Sequence, residues 1–147
     1  MHIEPFQIVI AQEVLGDLKE RLKRTRWPDE IERSDWRYGS NLAYMKELAD
    51  YWLTTFDWRA RERHINSFAN YQTVVNDLRI HFIHERGKGP NPIPLLVTHG
   101  WPSSFVEMLK LIPLLTDPST YGGDASDAFD VIVPSVPGFG FSQRPSQ

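Results

Sequence analysis

Apolar residues in the first part of the chain recur every three or four positions, which is the period of an amphipathic helix. One such stretch runs from Val14 to Leu22 and another from Leu42 to Phe56. Pro28 ends the first stretch because proline lacks an amide hydrogen and disfavours helix in the residue before it. Ser40-Asn41 offers a polar cap for the second. A third, more charged helix is predicted from about Trp58 to Phe68.

After Asn70 the pattern becomes alternating, which is the period of a strand with one solvated face. Gly87 to Pro90 predicts a turn, and the following run from Ile93 to Val97 is almost continuously apolar, as in a strand buried on both faces. These patterns together predict an edge hairpin that leads into a parallel sheet. The alternating strand carries Leu78, Ile80 and Phe82 on its apolar face and Arg79, His81 and Glu85 on its polar face.

A further helix is predicted after Ser103. Ser104 and Glu107 have the spacing of a capping box at its start, and Pro113 should bend or shorten its end. The polar segment from Thr116 to Asp127 predicts a loop, and a second buried strand follows at about 130–134. The apolar residues of this helix are Phe105, Met108, Leu109 and Ile112.

The order of these elements predicts the α/β class. We expect a helical N-terminal region over residues 1–69 and the first strands of an α/β core over residues 70–147.

Composition narrows the functional classes. The 147 residues are 41% hydrophobic and 12% aromatic, which excludes a disordered chain. A net charge of -3 argues against nucleic acid or an anionic membrane surface as the partner. The absence of cysteine removes disulfides, thiolate nucleophiles and cysteine metal sites, and it suits a reducing cytoplasm. No apolar run approaches the roughly 20 residues of a membrane helix, so we expect a soluble, cytoplasmic protein.

Two turns rich in glycine, proline and aromatic residues carry the candidate chemistry. His99-Gly100-Trp101-Pro102 follows the apolar run that ends at Thr98, and the segment from Val136 to Ser142 follows the later strand. Parallel strands end at one edge of a sheet, and open α/β sheets bind ligands at that edge. A turn of this kind can aim amide hydrogens at a developing negative charge without a bulky side chain in the way.

Taken together, the His-Gly-x-Pro turn, the later Gly-x-small-x-Ser turn and the tryptophan-rich helical leader resemble the epoxide hydrolases of the α/β-hydrolase fold. The branch that they resemble includes the microsomal and juvenile-hormone enzymes, and the resemblance runs from about His2 to the last residue. It implies a helical leader followed by the first strands of an α/β-hydrolase sheet. We expect the protein to lack the membrane anchor of the microsomal enzymes.

The resemblance also implies roles for residues of the two turns. The Trp101 amide would supply one oxyanion-hole donor, Gly100 would allow close approach, and His99 would orient the turn instead of acting as the base. The bond before Pro102 would be cis, since X-Pro is the one peptide bond for which the cis form costs little. Ser142 could hold the second turn through its hydroxyl. The aromatic residues Trp101, Phe139 and Phe141 suggest an apolar substrate.

In the family, the nucleophilic aspartate, its acid partner, the catalytic histidine and the lid tyrosines lie downstream of the position where Gln147 falls. The resemblance therefore implies the N-terminal part of an enzyme that hydrolyses an epoxide to a vicinal diol through an alkyl-enzyme ester. This part would supply the oxyanion turn but not the nucleophile, and it would be inactive alone. No cofactor and no metal are expected.

Two other functional classes stay open. The chain could be a non-catalytic binding or self-associating module, because a partial sheet leaves strand edges that a second copy or a separate C-terminal half could cover. It could also be the front part of a related esterase or haloalkane hydrolase. Further along the chain, a serine nucleophile would indicate an esterase, whereas an aspartate nucleophile would indicate an epoxide or haloalkane hydrolase. Lid tyrosines would distinguish an epoxide hydrolase from the other two.

Several local motifs are interpreted as structural. His81 and His84 lie three apart on a strand and would point to opposite faces, so surface histidines explain them better than a metal site. The second turn lacks the third glycine of a dinucleotide-binding loop. The basic run at 19–26 contains acidic residues and predicts a solvated helix face. Ser103 and Ser104 are interpreted as caps, and Trp27, Trp36, Trp52 and Trp58 as packing anchors.

Overall fold

The computed structural model describes residues 2–146 and contains one five-stranded sheet and four α-helices. Three short 3-10 turns lie at Phe105–Met108, Pro118–Tyr121 and Ala125–Asp127. The strands are β1 (Ile3–Pro5), β2 (Asn70–Val75), β3 (Leu78–Glu85), β4 (Ile93–Leu96) and β5 (Phe129–Pro134). The helices are α1 (Gln12–Lys23), α2 (Leu42–Thr54), α3 (Trp58–Ile65) and α4 (Leu111–Thr116).

The chain divides into two compact units. One consists of residues 1–8 and 62–147 and contains the sheet, and the other consists of residues 9–61. Residues 3–5 lie inside the region expected to be helical, yet they form a strand of the sheet. The domain boundary between residues 69 and 70 stays a prediction.

The sheet has the strand order β1-β2-β3-β5-β4. All neighbours are antiparallel except β4 and β5, which are parallel. The β2–β3 hairpin turns at Asn76 and Asp77, whose φ angles of 48° and 62° suit a two-residue turn with left-handed residues. The prediction of an edge hairpin is wrong, because β1 covers one side of the hairpin and β5 pairs with the other. Strand β3 is therefore the central strand of the sheet.

The core of this unit lies around the middle of β3 and β5. Phe82 and Ile83 of β3 and Val131 and Val133 of β5 are buried. From the segment after β4, Phe105, Leu109 and Ile112 are also buried. The polar face of β3 is not solvated at its middle as the alternation predicted, because the rings of Phe6, Phe105 and Phe141 pack on His81, whereas Arg79 near its start is exposed.

Strand β4 differs from its prediction in the opposite sense. Its apolar run predicts burial on both faces, but Ile93 is 61% exposed and Leu96 is 62% exposed. The physical reason is its place at one end of the strand order, where it pairs only with β5. The prediction of burial on both faces is therefore wrong for this chain.

The helix predicted after Ser103 is divided into two pieces. The first is the 3-10 turn at Phe105–Met108, for which the Ser104 hydroxyl accepts a hydrogen bond from the Val106 amide. The second is α4, in which Pro113 occupies the first turn. The expectation that Pro113 bends or shortens the end of this helix is wrong in its placement, because Pro113 lies in the first turn of α4, where no amide donor is needed and proline is tolerated. The polar segment before β5 includes two further 3-10 turns.

The unit of residues 9–61 contains α1, α2 and the start of α3. The Asn41 side chain caps α2 by accepting a hydrogen bond from the Tyr44 amide, as predicted. A hollow of about 480 Å³ in this unit is lined in part by Trp27, Tyr38 and Met45. Of the four tryptophans interpreted as packing anchors, Trp27 and Trp58 are half-buried, whereas Trp36 and Trp52 are exposed. Among residues 2–146, no helix combines the length and the apolarity needed to cross a membrane.

Candidate active site

The two predicted turns lie at the carboxyl ends of neighbouring parallel strands. Leu95 and Leu96 of β4 are in register with Val131 and Ile132 of β5. The turn of His99 to Pro102 therefore leaves the sheet beside the turn of 136–142. Open α/β sheets bind ligands at this edge.

The His99 side chain connects the two turns. It is 5% exposed, and its Nε2 accepts a hydrogen bond of 3.1 Å from the Val136 amide. Its Nδ1 lies 3.2 Å from the Gly100 carbonyl oxygen. Since an amide only donates and a carbonyl only accepts, Nδ1 carries the proton and Nε2 is an acceptor. His99 is thus a neutral imidazole whose two nitrogens are occupied, so it has no free nitrogen with which to act as a base.

The remainder of the first turn is open to solvent. Trp101 is 84% exposed, and a Cβ added at Gly100 would meet no other heavy atom within 4 Å. The Trp101-Pro102 bond is cis, as the resemblance implies. Within residues 2–146 the Trp101 amide donates to no acceptor. The turn therefore presents an unoccupied backbone donor at the edge of the sheet.

The second turn is built on two glycines with left-handed backbone. Gly138 has a φ of 85° and Gly140 a φ of 51°. A Cβ on Gly140 would lie 2.5 Å from the hydroxyl oxygen of Ser135, the residue after β5, so a side chain at position 140 would require Ser135 or the turn to shift. The Ser142 hydroxyl accepts from the His81 amide at 2.9 Å and donates to the Ser135 carbonyl at 2.7 Å. The prediction that Ser142 holds this loop through its hydroxyl is confirmed.

The aromatic residues of the second turn point to different surroundings. The Phe139 ring packs edge-on against the His99 ring with centroids 5.6 Å apart. The Phe141 ring instead contacts Phe6, His81 and Phe105 in the interior. Phe139 therefore belongs to the turn surface beside His99, whereas Phe141 packs on the core beneath it.

A buried polar cluster beneath the second turn was missed by sequence reasoning. His81, interpreted as a surface histidine, is fully buried, and its ring nitrogens contact Ser135 and Asn70 at 2.8 Å and 3.0 Å. The surface interpretation is wrong because the polar face of β3 is covered. Burial lowers the pKa of His81 from about 6.5 to about 4. The partners of His81 lie far from it in the sequence, so no local motif predicts these contacts.

Metal ligation finds no support in the described part of the chain, which holds no group of three histidine, cysteine or carboxylate side chains placed to bind an ion. The carboxylates with the clearest partners lie near the amino end of β5 and its preceding loop. Asp130 accepts from Arg86 and from the Gly87 amide, and Asp117 accepts from Lys88. They are ion pairs of the surface and not part of the two turns.

Comparison with known proteins gives one consistent result. The sequence profile of the family described as "Epoxide hydrolase N terminus" matches residues 3–108. The chain is 54% identical to a putative epoxide hydrolase of Stigmatella aurantiaca over 145 residues, which is 99% of this chain and 33% of that protein. It is 42% identical to epoxide hydrolase 1 of Oryctolagus cuniculus, again over 99% of this chain and 33% of the relative.

A solved structure agrees with these sequence relatives. The juvenile hormone epoxide hydrolase of Bombyx mori superposes with a TM-score of 0.87 and 31% identity, over 99% of this chain and 35% of that structure. The predicted resemblance to the microsomal and juvenile-hormone branch and the predicted α/β-hydrolase fold class are confirmed. The chain spans about one third of the length of the curated relatives that it matches.

Proposed function

The chain belongs to the family of epoxide hydrolase N-terminal regions, and from this premise we propose that its two turns form one wall of an epoxide hydrolase active site. In this proposal the Trp101 backbone amide is an oxyanion-hole donor, and His99 and Gly100 hold it in place together with Pro102. The observation that carries the proposal is the unoccupied Trp101 amide, fixed at a sheet edge by a histidine that bridges two strand ends.

The reaction defines what such a donor does. A carboxylate oxygen attacks one epoxide carbon, the carbon–oxygen bond of the ring breaks, and the leaving oxygen takes a proton from a phenol. The product is an alkyl-enzyme ester. Water deprotonated by a histidine then adds to the ester carbonyl. As the tetrahedral intermediate collapses, the proton of the added hydroxyl passes to the departing alkoxide, which releases the diol and regenerates the carboxylate, and the proton held by the histidine returns to the phenolate. In the family the nucleophile, the base and the phenols come from the part of the protein that follows the region matched by this chain.

Negative charge develops on the ester carbonyl oxygen when water adds, and this is the step that the Trp101 amide would stabilise. A donor on a preformed turn needs no reorganisation at that moment, since His99 already holds the Gly100 carbonyl of the same peptide group and is itself held by the Val136 amide. Removal of one oxyanion donor typically lowers kcat by about 100-fold to 1,000-fold. The contribution expected of this chain is therefore large even though it supplies no nucleophile.

The substrate class follows from the surface beside the donor. Trp101 is almost fully exposed, and Phe139 packs beside His99 at the same turn. Both side chains favour an apolar epoxide, such as one that carries an aryl or long alkyl group. Phe141, whose ring packs on Phe6, His81 and Phe105 in the core, would contribute only indirectly, by anchoring the second turn.

A chimaeric enzyme tests the proposal. Residues 1–147 of this chain replace the aligned N-terminal third of the Stigmatella aurantiaca relative, and diol formation from styrene oxide is measured. His99→Leu should lower kcat by about 100-fold, because the turn loses both of its hydrogen bonds to the imidazole. Trp101→Ala keeps the amide but loses the indole, so KM should rise while kcat changes by less than about fivefold.

Lys110→Gln, an exposed change away from both turns, is the matched control and should leave the kinetics unaltered. A folded His99→Leu chimaera with the kcat of its parent would contradict the proposed role of the turn. If Trp101→Ala lowered kcat as much as His99→Leu, the indole and not the backbone amide would be the important group.

The exposed strand β4 supports a proposal about partners. Its outer edge lacks a neighbour in the described chain, and Ile93 and Leu96 expose apolar surface there. We propose that a second copy or a C-terminal hydrolase segment covers this edge, because unpaired strand edges readily add another strand. A cytoplasmic location is also proposed, and the absence of cysteine supports it.

A further inference from the structure

We propose that His81, in the core of the sheet, is a positioning residue that sets the position of the Trp101 turn through Ser135, Val136 and His99. Its importance for catalysis rests on the proposed function of that turn. The coupling itself is a property of this chain and can be tested without substrate.

The proton arrangement at His81 is fixed by Asn70. The Asn70 side-chain nitrogen donates to the carbonyls of Ile65 and Phe68 at 2.9 Å and 2.8 Å. Its oxygen must therefore face His81, where it lies 3.0 Å from Nε2. Since an amide oxygen only accepts, Nε2 of His81 carries the proton and Nδ1 is left as an acceptor.

The other side of the ring binds the end of β5. The Ser135 hydroxyl lies 2.8 Å from His81 Nδ1, and because Nδ1 is an acceptor, the hydroxyl donates. Both residues are fully buried, and no buried polar side-chain atom in the described chain lacks a partner. The neutral form of the ring, which burial favours, is the form that accepts this bond. The rings of Phe6, Phe105 and Phe141 surround the imidazole.

Ser135 transmits this constraint to the first turn. Its backbone is also held by a hydrogen bond from its amide to the His81 carbonyl at 2.8 Å. The next residue is Val136, whose amide donates to His99 Nε2 at 3.1 Å, and His99 Nδ1 donates to the Gly100 carbonyl at 3.2 Å. Two imidazoles thus bind neighbouring groups, His81 the Ser135 hydroxyl and His99 the Val136 amide. One is anchored in the core and the other carries the turn with the Trp101 amide.

Packing alone does not require this arrangement. An apolar residue at position 81 would fill the same space without the cost of burying an imidazole. A buried polar cluster that is fully satisfied fixes one geometry, whereas a partly satisfied one does not. The cluster contains a single consistent set of donors and acceptors, so it can hold Ser135 in one orientation.

Three variants of the 147-residue chain separate positioning from packing. Ser135→Ala removes the hydroxyl alone. His81→Gln keeps a donor that reaches Asn70 but has no acceptor near Ser135, and His81→Asn keeps an acceptor near Ser135 but loses the link to Asn70. Thr116→Val is the control, since it removes one buried hydrogen bond in the same unit, to the Ile112 carbonyl, away from both turns.

The readout is amide hydrogen exchange by NMR, expressed as the rate at Val136 divided by the rate at Val133 in the core of β5. Ser135→Ala and His81→Gln should raise this ratio about tenfold, because each leaves a buried polar atom without its partner beside Ser135. His81→Asn should raise it less than about threefold, and Thr116→Val should leave it unchanged. The ring ¹⁵N chemical shifts of His99 should depart from the pattern of the Nδ1–H tautomer only in Ser135→Ala and His81→Gln.

A purely structural role predicts the reverse order, because asparagine leaves a larger cavity at position 81 than glutamine does. A larger effect of His81→Asn than of His81→Gln, or an unchanged ratio in Ser135→Ala, would overturn the proposal. Ser135→Ala changes one oxygen atom only, so it serves if the His81 variants fail to fold.

Turnover by the chimaera is a separate measurement. An inactive chimaera with the expected exchange pattern would refute the proposed function and leave the coupling intact. An active chimaera, together with an exchange ratio at Val136 that Ser135→Ala leaves unchanged, would refute the coupling and leave the proposed function intact.

Discussion

Replacement of Gly140 with alanine should strongly destabilise the unit that contains the sheet. The backbone at Gly140 is left-handed, with a φ of 51°, and an L side chain in that region costs about 1–2 kcal/mol. The added Cβ would also lie 2.5 Å from the Ser135 hydroxyl oxygen, 3.1 Å from its Cβ and 3.2 Å from a ring carbon of Phe105. Overpacking of this kind costs about 1–3 kcal/mol, so a loss of about 2–5 kcal/mol is expected in the free energy of unfolding.

Gly138 offers the matched control in the same turn. Its φ of 85° is also left-handed, but a Cβ there would meet only the Pro145 ring, at 3.9 Å. Gly138→Ala should therefore show the backbone cost alone, about 1–2 kcal/mol. The assay is urea unfolding of the 147-residue chain, followed by near-UV circular dichroism. Equal losses for the two variants, within about 0.5 kcal/mol, would refute the argument that close approach to Ser135 determines the glycine at position 140.

A double variant locates the clash. Ser135→Ala removes the oxygen that a Cβ on Gly140 would meet first but keeps the Cβ 3.1 Å away. Gly140→Ala should then cost less in the Ser135→Ala background than in the parent, with a coupling of about 1 kcal/mol or more. Additive losses would mean that the turn moves away as a whole and that Ser135 is not the obstacle.

Three further predictions concern other parts of the chain. Gly16→Ala should stabilise the unit of residues 9–61 by about 0.5–1 kcal/mol, since Gly16 lies inside α1 with nothing within 4 Å of an added Cβ; an unchanged urea midpoint would contradict it. Because the pKa of His81 falls from 6.5 unfolded to about 4 folded, the unfolded state binds the extra proton and stability should fall as the pH drops from about 6.5 to about 4. Protonation of His81 accounts for a loss of at most about 3 kcal/mol in the free energy of unfolding. His81→Asn should abolish this part of the pH dependence. The part due to His84, whose pKa is also lowered by burial, should persist. Leu96→Lys, on the exposed edge strand, should reduce any concentration-dependent association seen by sedimentation. A sedimentation coefficient of the parent chain that does not depend on concentration would contradict association through β4.

The sequence predicted those features that depend on neighbours close along the chain. The period of apolar residues located α1 and α2, and the composition of two short segments identified turns after β4 and β5. Asn41 was recognised as a cap because capping needs only the residues three positions away. The family resemblance was carried by the same local segments, and the comparisons confirm it.

The misses share a physical cause. Alternation on β3 describes which residues share a face, but it does not say whether that face meets water or another layer. His81 was therefore interpreted as solvated, although partners 11 and 54 residues away bury and satisfy it. The same limit applies to Ile93 and Leu96, whose exposure depends on which strands flank β4. Pro113 is different, because a first-turn proline is a local signal and could have predicted the start of α4.

The buried cluster also changes how the candidate site is to be understood. The residues that resemble a catalytic motif, His99 to Pro102, are mostly exposed and make few contacts of their own. The link of this turn to the core is the hydrogen bond from the Val136 amide to His99, with the Phe139 ring packed beside it, and Val136 directly follows the buried Ser135. A donor in an oxyanion hole must lie within a few tenths of an ångström of its place to act. The accuracy of the Trp101 amide is therefore expected to come from β3 and β5, so substitutions at His81 or Ser135 should impair the turn without touching a substrate.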